Sequence, residues 1–350
     1  MALRSEGLKA VDDHGGSLER AKALFPDAPE PWIDLSTGIN PHPYPLFTLP
    51  ATALTRLPEE KGIAGLRATA ARAYGAPSGE NVAAAGGTQI LLPLVASLIP
   101  AGRALVLGPT YAEHARAAAL AGHKVEETED FGRLAGADLA VVVNPNNPDG
   151  RVVTRAALLG LARTMRARGG LLVVDEAFMD VGPREESLIP DVDEGDIVVL
   201  RSIGKFFGLA GVRLGFALAA PETAARLRAW LGPWAVSGAA LAYGTKALAD
   251  RHWQEAMRAR LAAEAEALDR LFANNGVRAE GGTSLYRFFR HDRTQSLFRL
   301  LGERGILTRR FAARSRDLRV GLPAGPDERK RLEDALADWS AYHFSKEHAG

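Results

Sequence analysis

Four short segments of this chain carry side chains that could do chemistry together, and each follows an apolar, strand-like run. Gly86-Gly87-Thr88-Gln89 comes first, then Asn144-Pro145-Asn146-Asn147-Pro148, then Asp175-Glu176-Ala177-Phe178. Ser202-Ile203-Gly204-Lys205 is the last, with Arg213 shortly after it. Glycines ahead of a helix let the backbone approach closely, and the free N–H groups of a helix start bind phosphate. Asn147 could donate its amide to an anionic ring oxygen. Asp175, a partly desolvated acid at a strand end, would hold the proton of a pyridinium nitrogen. Lys205 stands among apolar neighbours, where desolvation favours the neutral, nucleophilic amine. Ser202 and Arg213 on either side could contact one phosphate. In this order the segments supply what a pyridoxal phosphate site requires, including an amine for a Schiff base.

Each segment alone has a plainer reading. Gly86-Gly87 is also an ordinary turn into a helix, and Asn-Pro clusters favour turns by themselves. A strand-terminal acid such as Asp175 could equally bind magnesium or cap a helix, and most lysines are solvated surface charges. The glycine pair is neither a dinucleotide fingerprint nor a P-loop.

Composition narrows the classes. The 350 residues suffice for one large domain and a smaller one. A formal net charge of +1 gives no support to bulk binding of nucleic acid or membrane. With no cysteine, thiolate catalysis and thiolate metal sites are excluded, and the eight histidines lack zinc-enzyme spacing, so no metal is expected. The first residues lack the apolar core of a secretion signal, and the longest apolar run, Ile90 to Ala101, is too short to span a bilayer. A soluble cytoplasmic protein is the expectation.

The elements that must position these side chains follow from pattern. Residues 1–60 read as an extended N-terminal arm and part of a small domain, rich in Pro and Gly. Residues 61–240 read as a large α/β domain. Helices are predicted from Gly62 to Tyr74, Thr88 to Leu98, Glu113 to Ala121, and from an N-cap at Thr154 to Arg168. Short apolar strands are predicted at Ala104–Leu107, Leu139–Val143, Leu171–Val174, Ile197–Leu200 and Leu214–Leu218. Strands of this kind separated by helices indicate a mostly parallel sheet covered on both faces. Ligand sites of such sheets lie at the carboxyl ends of the strands. A long Ala/Leu helix from Gly238 to Phe272, with a break, leads into a smaller α+β domain at 241–350. Strands at Ser284–Phe289 and Leu318–Gly321 and helices at Thr294–Glu303 and Asp327–Tyr342 would build it.

Taken together, the segments resemble the fold-type I pyridoxal phosphate enzymes, in the class I/II aminotransferase branch near histidinol-phosphate aminotransferase. His14-Gly15-Gly16, Trp32-Ile-Asp-Leu-Ser-Thr-Gly-Ile-Asn-Pro41 and His42-Pro-Tyr-Pro45 are similar to the threonine-phosphate decarboxylases of cobalamin biosynthesis. The resemblance implies that Lys205 bonds the cofactor, Asp175 pairs with its ring nitrogen and Asn147 with its phenolate oxygen. Gly87, Thr88, Gln89, Ser202 and Arg213 would hold its phosphate, and Tyr111 would stack on the ring. Arg319 would receive the substrate α-carboxylate and Arg309 the substrate phosphate, while Asn40 and the His14 to Gly16 segment close over the substrate. The implied reaction is decarboxylation of L-threonine O-3-phosphate to (R)-1-amino-2-propanol O-2-phosphate by a homodimer. Transamination of histidinol phosphate on the same scaffold is the alternative.

Two departures bear on that choice. Phe178 stands where the aminotransferases carry a tyrosine that hydrogen-bonds the ring oxygen, so Asn147 is left as the main partner there. Leu57 stands where related enzymes lend a tyrosine across the dimer to the cofactor phosphate. The Phe178 form resembles the decarboxylases more than the aminotransferases.

Overall fold

Seven short strands, three of them apolar throughout, pair into one sheet in the computed structural model, which describes residues 14–347. Their order is Val82–Ala85, Gly215–Ala219, Ile197–Ser202, Leu171–Asp175, Leu139–Val143, Arg103–Leu107 and Lys124–Thr128. Pairing is parallel from Ile197–Ser202 through to Lys124–Thr128. Gly215–Ala219 runs antiparallel to both of its neighbours. The inner strands are buried on both faces, which is why Leu139–Val143 and Leu171–Asp175 show no polar alternation.

Two strands escape the sequence pattern. Val82-Ala-Ala-Ala85 is mostly alanine, a residue depleted in strands, and it forms only because Gly215–Ala219 pairs with it. Lys124–Thr128 is a polar edge strand, with charges that discourage pairing to another chain.

The covering helices start and stop at identifiable residues. Thr154 caps the helix Arg155–Arg166, its hydroxyl accepting from Ala157 N at 3.3 Å. Gly75, at φ +84°, ends Glu60–Tyr74 in the left-handed conformation that glycine adopts without strain. Leu91 and Val95 of the helix Thr88–Ala96 pack with Ala117 and Leu227 on the sheet residues Val106, Val141 and Leu200. The long alanine-rich stretch breaks at Asp250 into two helices, Gly238–Ala249 and Arg251–Asn274. Asp250 Oδ1 accepts from Trp253 N at 3.0 Å, so the acid starts the second helix where the first stops.

By its contacts the chain divides into two units, and the division differs from the boundaries read from pattern. Residues 43–147 and 151–254 form the first; residues 14–42, 148–150 and 255–347 form the second. The stretch after His42 belongs to the first unit because Tyr44 N donates to Phe207 O at 2.9 Å and Phe47 packs on Tyr243, ring centroids 4.4 Å apart. Gly238–Ala249 belongs there too, packed on Glu60–Tyr74.

The second unit holds a four-stranded antiparallel sheet in the order Arg309–Phe311, Arg314–Gly321, Tyr286–Arg290 and Gly281–Thr283. Phe272 and Phe289 stack at 4.3 Å in its core. The N-terminal stretch is more than an arm. It forms the helix Leu18–Leu24, capped by Ser17, and the strand Ile33–Asp34, which pairs in parallel with Ile306–Leu307. No helix among the described residues is long and apolar enough to cross a membrane.

Phe216 is fully buried on Gly215–Ala219, edge-on to Tyr74 at 5.9 Å. Phe216→Ala is expected to lower stability by about 3–5 kcal/mol, read as a lower denaturation midpoint at unchanged slope. A loss below about 1 kcal/mol would mean the sheet core collapses around the gap.

Candidate active site

The carboxyl ends of the parallel strands open into one cavity of the first unit, and the four motif segments meet there. Gly87, Thr88, Gln89, Tyr111, Asn147, Asp175, Ser202, Lys205 and Arg213 all line it, as the sequence predicts. Ala177, Phe178, Gly204, Ala210 and Leu214 complete an apolar wall that pattern alone did not single out apart from Phe178.

One end of the cavity is built for an anion. Gly87 (φ +95°) leads into the helix Thr88–Ala96 with no side chain capping its first turn. Arg213 reaches across it: a Cβ on Gly87 would stand 2.7 Å from Nη2 of Arg213. Arg213 itself adopts φ +56° and ψ +67°, a left-handed conformation that costs an L-residue roughly 1–2 kcal/mol. Its Nη1 donates to Ala210 O at 3.1 Å, which fixes the guanidinium over the glycine. Strain of this kind persists only where the surroundings enforce it. Gly215 lies behind the helix start, where an added Cβ would come 2.5 Å from Thr88 N. Ser202 Oγ accepts from Gly204 N at 3.1 Å and shapes the turn that presents Lys205.

The other end is acidic and nearly dry. Asp175, 7% exposed, ends its strand and accepts from Ala177 N at 3.0 Å. His114 Nε2 lies 2.8 Å from Asp175 Oδ2, and both side chains are almost wholly buried. Sequence reasoning missed His114. The available signal was its place three residues after Tyr111, in the first turn of the helix Glu113–Leu120. The two rings meet edge-on at 5.9 Å.

Tyr111 is fixed by a chain of hydrogen bonds. Its hydroxyl donates to Gln89 Oε1 at 3.2 Å, and Gln89 Nε2 donates to Glu113 Oε2 at 2.8 Å. Asn147 is presented by a tied loop. Asn144 exchanges two bonds with Val153, Nδ2 to O at 3.0 Å and N to Oδ1 at 2.8 Å. Asn146 Nδ2 donates to Pro109 O, and its Oδ1 accepts from Thr110 Oγ1 at 2.7 Å. Lys205 Nζ lies 5.6 Å from the centroid of the Phe178 ring.

The second unit carries the other predicted residues. Arg309 and Arg319 are register partners on adjacent antiparallel strands. Like charges directly opposite destabilise a strand pair, so an anion taken up beside them relieves the repulsion. Arg319 is 5% exposed, and burial with the Arg309 charge pulls its pKa down to about 10, still far above neutrality. Its Nη2 donates to Ser36 O at 2.6 Å, and its guanidinium lies over Tyr286 at 4.9 Å. Gly16 N donates to Ser36 Oγ at 2.7 Å, and a Cβ on Gly15 would stand 2.5 Å from Ser36 O. His14, Gly15 and Arg309 line a small cleft with Arg20, Ser36 and Thr308. Asn40, 2% exposed, accepts from His42 N at 2.8 Å through Oδ1.

The threonine-phosphate decarboxylase of Sinorhizobium sp is 42% identical over 326 residues, 93% of this chain and 97% of that protein. The histidinol-phosphate aminotransferase of Sinorhizobium meliloti, solved in complex with pyridoxal-5'-phosphate, superposes with a TM-score of 0.78 at 20% identity, covering 98% of each chain. The L-threonine-O-3-phosphate decarboxylase of Porphyromonas gingivalis superposes with a TM-score of 0.72 at 20% identity, over 88% of this chain and 99% of that one. Both superpositions speak to the fold. The model of the family described as aminotransferase class I and II matches residues 31–336, and the chain belongs to that family.

Proposed function

We propose that this chain is a pyridoxal phosphate-dependent decarboxylase that converts L-threonine O-3-phosphate to (R)-1-amino-2-propanol O-2-phosphate and CO2, a step of cobalamin biosynthesis. The observation that carries the reading is a single cavity uniting Lys205, Asp175, Asn147 and an anion cradle, in a chain 42% identical to a threonine-phosphate decarboxylase along nearly its whole length. The cavity suits the cofactor on its own terms. The uncapped helix start and the strained Arg213 form a cradle that a Cβ on Gly87 would fill.

Bound there, pyridoxal phosphate would supply a conjugated, electron-withdrawing ring to the α-carbon of an amine joined to it. Gly87, Thr88, Ser202 and Arg213 would hold its phosphate, and Lys205 would hold it covalently. Asp175, braced by His114 and Ala177 N, keeps a proton on the ring nitrogen. Asn147 donates to the ring oxygen. Tyr111 covers one ring face, locked by Gln89. Phe178 offers the ring oxygen no hydrogen bond, so this chain grips that oxygen less than an enzyme with a hydroxyl there.

Arg319 takes the substrate carboxylate and Arg309 its phosphate. Gripping a small molecule by two anionic ends fixes its orientation, and hence which bond is weakened. His14, Gly15, Gly16 and Asn40 close over it. Lys205 Nζ, freed when the substrate amine takes its place on the cofactor, would be the group that carries a proton to the α-carbon after CO2 leaves.

The finer expectations are part of the same proposal. The enzyme works in the cytoplasm as a homodimer. In support, a broad groove of the first unit is lined by Pro50, Leu57, Gly62, Leu241 and Lys246. Leu54 and Leu57 beside it are 73% and 62% exposed. Sedimentation velocity should give twice the 37.4 kDa chain mass, and a monomer at micromolar concentration would count against it.

Purified protein with pyridoxal phosphate and L-threonine O-3-phosphate, without a keto acid, should release stoichiometric CO2 over many turnovers. Lys205→Ala should lower that rate by roughly 10²–10⁴-fold or more. Absence of CO2, with rapid nitrogen transfer from histidinol phosphate to 2-oxoglutarate, would establish the aminotransferase instead. Gly215→Ala crowds Thr88 N, and overpacking of about 1–3 kcal/mol should weaken cofactor binding by roughly 5- to 150-fold in equilibrium dialysis. Unchanged binding would show that the helix start is not the phosphate site.

A further inference from the structure

Behind the cavity wall lies a buried cluster of charges that the proposed reaction does not use. Glu176 directly follows Asp175, and Arg201 directly precedes Ser202. Strand alternation turns both away from the cavity, and neither lines it. Glu176 is fully buried: Ser187 Oγ donates to Oε2 at 2.6 Å, and Leu188 N donates to Oε1 at 2.8 Å. Arg201, 4% exposed, reaches Glu176 Oε2 with Nη1 at 3.3 Å and Asp180 Oδ1 with Nη2 at 3.0 Å. Its guanidinium lies 4.3 Å from the ring centroid of Tyr74, the last residue of Glu60–Tyr74. Burial pushes the Glu176 carboxyl up to about 7 even against the pull of Arg201.

A cluster of this kind is a poor source of stability, because desolvating each ion costs several kcal/mol and apolar replacements often do as well. What it provides here is geometry. Each member sits beside a cavity residue: Glu176 beside Asp175, Asp180 two positions after Phe178, Arg201 beside the Ser202–Lys205 turn. The backbone tie of Glu176 N to Leu200 O at 2.9 Å sets the two strand ends in register, and the side chains then fix the segments that leave them. We propose that Arg201, acting through Glu176 and Asp180, is the positioning residue that holds Asp175, Phe178 and Lys205 at their mutual spacing around the cofactor. The proposal rests on the pyridoxal phosphate reading given above, but not on the identity of the substrate.

The test therefore reads the cofactor and uses no substrate. Holoenzyme of wild type, Glu176→Gln, Arg201→Lys and the neutralised double variant Arg201→Met/Glu176→Gln would be compared for folding, cofactor affinity and pH titration of the absorbance of pyridoxal phosphate on Lys205. The double variant replaces Arg201 and Glu176 by groups of similar volume but leaves the buried Asp180 without its arginine, so its thermal midpoint should fall, and affinity and titration are read below that midpoint. Its cofactor affinity should drop about tenfold or more, as when supporting residues of a bound group are removed, and its absorbance midpoint should move by about one pH unit. Arg201→Lys, keeping the charge, should recover part of both. Should the double variant not fold, Glu176→Gln alone must show the same displaced midpoint at reduced size. Folded variants with wild-type affinity and titration would overturn the proposal, whatever their thermal midpoints. A wild-type protein that never acquires the absorbance would overturn the cofactor reading and this proposal with it.

Discussion

A carboxylate taken out of water costs free energy unless donors replace the water, and Asp175 sits at the end of a strand buried on both faces. Two donors answer that cost, His114 Nε2 at 2.8 Å and Ala177 N at 3.0 Å. The rest of the site is arranged around keeping this charge in one place. The parallel strands bring Asn147 and Lys205 to the same edge of the sheet. Tyr111, on the turn that leads into the helix of His114, lies over the same space. An acid left loose here would turn to solvent or be neutralised.

The anion cradle meets a different constraint with different means. Its donors are backbone groups at a helix start together with one guanidinium, and their placement depends on the absence of side chains. Gly87 leaves room for Arg213, and Gly215 leaves room for Thr88. The arginine accepts a strained backbone so that its charge meets the helix start. The second unit uses a related device. Arg309 and Arg319 face each other across a strand pair, where an anion between them would relieve their repulsion.

Much of this was legible in the sequence, because each chemical group follows its own strand within a few residues. Asp175 ends Leu171-Leu-Val-Val174, and Lys205 lies three residues past the strand Ile197–Ser202. The helix Thr88–Ala96 was announced by Gly86-Gly87, and Thr294–Glu303 by its period. What was not legible depends on the third dimension. Val82–Ala85 has no strand propensity of its own, and His114 gains a role only when a distant strand places Asp175 2.8 Å away. The division into units was obscured because residues 43–58 carry little periodic pattern and are held by contacts such as Tyr44 to Phe207. Arg309 and Arg319 were assigned by resemblance alone; the register that sets them opposite each other lies outside the reach of one-dimensional pattern.

The reversed strand has a consequence for how the site is inherited. Ser202 and Gly215 are register partners, so residues 203–214, with Lys205 and Arg213 among them, form a single excursion from one antiparallel pair. Lys205 and the strained Arg213 thus travel as one module, closed by neighbouring strands and costing little loop-closure entropy. An insertion between Lys205 and Arg213 changes the spacing of the two within that excursion.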